Sequence, residues 1–199
     1  MPNKTPTTAI LDVDFIEEKD EHSDLTNEQE LVNIRNPILQ NQNDNPLNFS
    51  ENLHEVGHQL AEIMSHSPFL KLTNTVFNFD NTTEQITGKT VSTPDLIGNV
   101  NYQILHGGVS ATVLDTLGGV IAMYEIFKRG QGTFDELTKK VMKVATVDLR
   151  IDYLAVGRGA FYTSTGEIIR MGRKGCTVRM MLADDTGKPI AHGIASYAF

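Results

Sequence analysis

Asp115 is the residue whose surroundings most demand a chemical role. It stands nine positions after His106 in the run His106-Gly107-Gly108-Val109-Ser110-Ala111-Thr112-Val113-Leu114-Asp115. Placing residues 100° apart gathers Val113, Leu114, Leu117, Val120, Ile121 and Tyr124 on one broad apolar helix face. The opposite face holds Gly108, Ala111, Asp115, Gly118, Gly119 and Ala122. A helix apolar on one side and small on the other packs on both. Glycine costs about 1 kcal/mol in a helix interior, so three on one face point to close approach by another backbone or a ligand. A carboxylate in the middle of that face is expensive to bury unpaired, so it is either hydrogen-bonded or employed.

A second constellation is His54-Glu55-Val56-Gly57-His58, a literal HExxH on a predicted helix, the pattern of zinc peptidases. Gly57 weakens that helix, and Ala61 and Met64 stand where the extended motif needs Gly and His. A zinc hydrolase built on these residues is the weaker alternative, and no metal or other cofactor is expected. The lone Cys176 falls on an alternating apolar strand face and reads as a buried core thiol rather than a nucleophile. One cysteine also excludes a disulfide framework and any CxxC site.

These residues sit in a chain of 199 residues, enough for about one domain with a substantial core. The net charge of −8 argues against nucleic acid as the main partner, because phosphate binding needs clustered Lys and Arg. The charge is uneven: residues 1–45 carry three basic against ten acidic residues, the remainder 14 against 15. Asparagine- and glutamine-rich sequence then leads to Pro46. The composition predicts an acidic, disordered N-terminal tail over residues 1–48 and a folded domain over 49–199. Neither a basic-then-apolar leader nor an uninterrupted apolar run of membrane-spanning length is evident, so a cytoplasmic location is expected.

Within the domain, Ser50 can cap a helix carrying Leu53, Val56, Leu60, Ile63 and Met64, which Pro68 stops. Strands are predicted around Lys71–Phe79 and Glu84–Val91, before the long helix that bears Asp115. The charged stretch Gly130–Lys143 includes a short helix. Alternation then marks a strand over Val147–Tyr153, a second over Gly159–Arg170, a third over Cys176–Leu182 and a last over Pro189–Ala198. This order describes an α+β domain, a curved antiparallel sheet wrapped around one long central helix.

The string Leu105-His106-Gly107-Gly108, six intervening residues, then Asp115 resembles the signature of hotdog-fold acyl-CoA thioesterases of the phenylacetate-degradation (PaaI-like) type. The similarity continues through Ala145–Leu154, Arg173–Val178 and Asp185–Gly193, and so spans roughly residues 50–199. It implies hydrolysis of acyl-CoA to a free acid and coenzyme A. Asp115 then serves as general base on water or as direct nucleophile. The backbone N–H groups near Gly107 and Gly108, unpaired at a helix N-terminus, polarise the thioester carbonyl. His106 fixes this loop or contacts the carbonyl. Asn99 or Asn101 fills the family's upstream Asn, with Asn99 preferred because Gly98 permits a turn. Thr146 orients the attacking water, although strict alternation aims it with Asp148 and Arg150. Arg170, Arg173 and Lys174 contact the coenzyme A phosphates.

Nine residues of helix separate His106 from Asp115 by roughly 13 Å along the axis, too far for both to touch one thioester carbon within one chain. The resemblance implies that two subunits share each site, so a homodimer is expected, alone or paired into a homotetramer. A non-catalytic acyl-CoA-binding hotdog module, a sensor, is the alternative from another class.

Overall fold

Alternating burial along the strands sets the architecture. The computed structural model describes residues 49–199; the expected tail over 1–48 lies outside the described residues. Helix α1 (Leu53–Ser65) and the short α2 (Pro68–Leu72) precede strands β1 (Thr75–Asp80) and β2 (Gln85–Val91). A 3-10 turn at Pro94–Leu96 leads to a small ribbon of β3 (Ile97–Asn99) and β4 (Ile104–Leu105). Helix α3 (Gly107–Arg129) and α4 (Phe134–Val141) come next. Four long strands complete the fold: β5 (Ala145–Tyr153), β6 (Phe161–Met171), β7 (Gly175–Asp184) and β8 (Pro189–Ala198). The main sheet is antiparallel in the order β1-β2-β6-β7-β8-β5.

The sheet curls around α3 as expected. Cys176, Val178, Met180 and Leu182 alternate inward along β7 and meet Val113, Leu114, Leu117 and Val120, all sealed from solvent. Burying each such aliphatic side chain stabilises the fold by about 1.5–3 kcal/mol. Burial also pushes the Cys176 thiol up to about 11, as suits a core residue. By length and composition α3 could cross a bilayer, although Asp115 and its glycines interrupt every apolar run. Here it is the core helix.

At Gly118 the small-residue face of α3 is covered by the chain's own sheet. A Cβ on Gly118 would collide with the Tyr197 hydroxyl and with Met180 Sδ, so the glycine admits a phenol from β8 rather than a second subunit. Gly118→Ala should therefore cost about 1–3 kcal/mol through overpacking, read as a lowered Tm.

Local chemistry moved several boundaries. Asn52, not Ser50, caps α1, its side-chain oxygen accepting from the His54 and Glu55 amides. Pro68 stops α1 but also starts α2, since proline is favoured in a first helical turn; β1 therefore begins at Thr75, after Asn74 at φ 50°. The short helix expected within Gly130–Lys143 is α4, closed by a capping box between Thr133 and Glu136.

Candidate active site

Three elements position Asp115. Helix α3 carries it half-buried, and the Thr146 hydroxyl from β5 donates to its Oδ1 at 2.9 Å. The Tyr197 hydroxyl from β8 donates to its backbone carbonyl at 2.8 Å. Burial and then the nearby Asp115 charge hold the Tyr197 phenol well above its ordinary range, so it remains a protonated donor.

Thr146 reaches Asp115 because β5 breaks its alternation. Thr146 pairs with Tyr197 and Asp148 with the adjacent Ser196, leaving Val147 as an extra, bulged residue. Leu149 and Ile151 face the helix from one side of the bulge and Thr146 faces it from the other. Such a bulge re-aims one side chain, here the hydroxyl that holds the carboxylate. Thr146→Val keeps the shape and removes the donor; the expected result is a kcat lowered about tenfold with Tm within a degree or two.

The start of α3 is built separately. His106 is its N-cap residue, and its Nδ1 accepts from the Gly108 N–H at 2.9 Å. An accepting Nδ1 leaves the ring proton on Nε2. The histidine thus fixes the loop and occupies the Gly108 amide, which corrects the expectation that both glycines offer free donors. Val109 and Ser110 donate back to the His106 carbonyl. Among the described residues no hydrogen bond takes up the Gly107 N–H, which leaves it as the open donor of the first turn. Tyr153 buttresses this turn by donating to the Gly107 carbonyl at 2.9 Å.

Gly107 borders a cavity of about 530 Å³ with mainly apolar walls, including Ile104, Leu105, Leu154, Val156 and Ile190. Asp115 is not among its lining residues. One chain therefore presents a carboxylate and an amide donor at two places, as the helix length requires.

Asn99 ends β3 and its side chain accepts from the Tyr102 amide at 3.3 Å, holding the β3–β4 turn; Asn101 is exposed in that turn. Gly98 does not make a turn. It lies in β3, where a Cβ would press on the His106 ring and Cα, so it lets the N-cap histidine seat closely. Arg173 and Lys174 line a cleft against α4, whereas Arg170 pairs with Thr177 on the outward side of the sheet and does not. A bulge at Ile169 sets that direction.

The HExxH residues have structural occupations. His54 Nε2 lies 3.3 Å from Glu84 Oε1 and His58 Nε2 lies 2.9 Å from Asn81 Oδ1. The two rings flank Phe79, and a Cβ on Gly57 would fall 2.5 Å from the same ring. Among the described residues no group of three metal-ligating side chains converges there or elsewhere. Sequence reasoning missed Tyr153 and Tyr197, because a tyrosine near the end of a strand carries no sign of what its hydroxyl meets across the fold.

A family model for the thioesterase superfamily matches residues 102–191, which contain His106, Gly107, Gly108, Asp115, Thr146 and Tyr153 but neither Asn99 nor Tyr197. The Escherichia coli medium/long-chain acyl-CoA thioesterase YigI is 36% identical over 105 residues, covering 52% of this chain and 68% of that protein. A Shewanella oneidensis crystal structure related to the thioesterase superfamily aligns at 37% identity with TM-score 0.69, covering 73% of this chain and 96% of the other. A thioesterase family protein from Silicibacter pomeroyi, 16% identical with TM-score 0.53 over 72% of this chain and 96% of its own, shares the fold alone. The curled sheet, the buried α3 and this kinship agree: the chain belongs to the thioesterase superfamily and has its hotdog fold.

Proposed function

We propose that this thioesterase hydrolyses acyl-CoA, with Asp115 of one subunit and the Gly107 amide of another acting on the same thioester. The observation that carries the reading is the Gly107 N–H, without a partner among the described residues, beside an apolar-walled cavity that Gly107 lines. A medium or long acyl chain lies along Leu105, Leu154 and Ile190, and its carbonyl oxygen accepts from Gly107. The donor and the positive end of α3 stabilise the charge that develops on that oxygen. The substrate class follows the kinship with YigI.

Asp115 then takes a proton from water as the water oxygen attacks the acyl carbon, or attacks it directly. In the first route the new C–O bond forms, the C–S bond breaks, and the proton held by Asp115 passes to the departing thiolate. In the second, the Asp115 carboxylate forms the new C–O bond as the C–S bond breaks and coenzyme A thiolate leaves. Water then hydrolyses the Asp115–acyl anhydride to the free acid and regenerated Asp115, and the proton released passes to the thiolate. Thr146 keeps the carboxylate aimed in both.

Pairing of subunits is supported by the edge strand β5. Its outer edge is unpaired among the described residues, and Val147 and Tyr153 are 69% and 58% exposed. A long edge strand with bare apolar residues invites a partner. The test is thiol release from acyl-CoAs of graded length. Turnover rising toward medium or long chains is expected; equal, negligible release by wild type and Asp115→Ala would favour a binding module.

A further inference from the structure

Among the described residues the cavity beside Gly107 has two polar side chains in its lining, Tyr153 and Ser110; the rest are aliphatic residues and glycines. The Tyr153 hydroxyl is committed, donating to the Gly107 carbonyl at 2.9 Å. Ser110 is 4% exposed, so its hydroxyl is set among those aliphatic walls.

A hydroxyl within a helix commonly satisfies itself by donating to the carbonyl four residues back. Ser65, Thr116 and Thr138 do so in this chain, at 2.6, 2.9 and 3.0 Å. Ser110 does not. The carbonyl four residues before it belongs to His106, the N-cap, and already accepts from the Val109 and Ser110 amides. Among the described residues no other group bonds the Ser110 hydroxyl. A hydroxyl buried without a partner is costly, and an acceptor oxygen on a ligand in the cavity relieves that cost.

Ser110 follows Gly107 by three residues, about 4.5 Å along the axis and on a neighbouring part of the same helix face. Helical Cα–Cβ bonds tilt toward the N-terminus, so the Ser110 side chain leans back toward the turn that carries the Gly107 N–H. The adjacent backbone donor, the Gly108 amide, is held by His106 Nδ1. A carbonyl oxygen has two lone pairs, and this first turn offers one amide and one hydroxyl to fill them.

We propose that Ser110 is a second donor to the thioester: its Oγ–H and the Gly107 N–H bond the same carbonyl oxygen, which becomes negative as the acyl carbon is attacked. The inference rests on acyl-CoA being the substrate. Ser110 keeps its proton throughout; its hydrogen bond strengthens as the charge develops and weakens as the C–S bond breaks. The hydroxyl thus does what a second backbone amide would do had His106 not occupied it.

Ser110→Ala removes the donor and leaves a good helix former at a small, buried position. Its kcat for decanoyl-CoA should fall about tenfold, with KM and Tm little changed. Two ligands that cannot be hydrolysed separate a carbonyl contact from a change of cavity shape. Decanoyl-dethia-CoA, a ketone with CH2 in place of the sulfur, keeps the carbonyl, whereas S-decyl-CoA, a thioether, lacks it. Ser110→Ala should bind the ketone about fivefold more weakly and the thioether as wild type does. The carbonyl stretch of the bound ketone, read by difference infrared spectroscopy, should move to higher frequency in the variant. An unchanged kcat, or equal weakening of both ligands, would overturn the second donor alone. Wild type that releases no thiol from decanoyl-CoA would overturn the acyl-CoA reading on which it rests.

Discussion

Asp115→Asn should lower kcat for thioester hydrolysis by about a hundred- to ten-thousandfold, the range over which positioned acid–base groups act. The substitution is nearly isosteric. The new carboxamide offers the same oxygen to the Thr146 hydroxyl, and the Tyr197 bond goes to the backbone, so neither support is lost. Tm should stay within about two degrees, because the site is half-buried and no cavity opens. KM should change little. A steady-state assay with thermal melting checks both, and a variant that loses its fold along with its rate would return Asp115 to a structural role.

Gly107→Pro should be the second large effect, about a hundred- to a thousandfold in kcat, as when one oxyanion donor is removed. Gly107 is the first residue of α3, a position where proline is favoured and its missing N–H breaks no helical bond. His106, at φ −64° and ψ 131°, already has the extended backbone required before proline. The added Cβ would lie 3.2 Å from the exposed Tyr153 ring, which can move. The variant therefore deletes one donor with little damage to the helix. Full activity would mean that another amide polarises the substrate. The Gly108 N–H cannot take that role while His106 Nδ1 holds it.

The sheet and its helix were legible because their signals are periodic. Alternation along Cys176–Leu182 and the two-faced pattern over Gly108–Tyr124 survive in the structure with small boundary changes. What could not be read were departures from period. Strict alternation turns Thr146 away from the helix; one bulged residue, Val147, turns it toward Asp115. The same device at Ile169 removes Arg170 from a basic cluster that looks contiguous in sequence.

Glycines misled for a related reason. Gly98 resembles a turn and Gly118 a subunit seam, but each admits a side chain from far along or across the fold, the His106 ring and the Tyr197 phenol. Sequence spacing does not reveal which partner fills such a gap. The His54–His58 motif is similar: its Gly57 is explained by Phe79, a contact that only the folded sheet creates. The lysines at the end of α4 and just after it, Lys139, Lys140 and Lys143, are far along the chain from Arg173 and Lys174, and their meeting in one cleft depends on how α4 packs.

The most direct test joins the two variants in one particle. Differently tagged Gly107→Pro and Asp115→Asn chains are co-expressed and the mixed dimer is isolated. If each site takes its amide from one subunit and its carboxylate from the other, one of the two sites is intact and the hybrid should recover about half of wild-type kcat per dimer while both parents stay silent. A mixed dimer as inactive as its parents would place both groups of each site in a single chain and contradict the shared site.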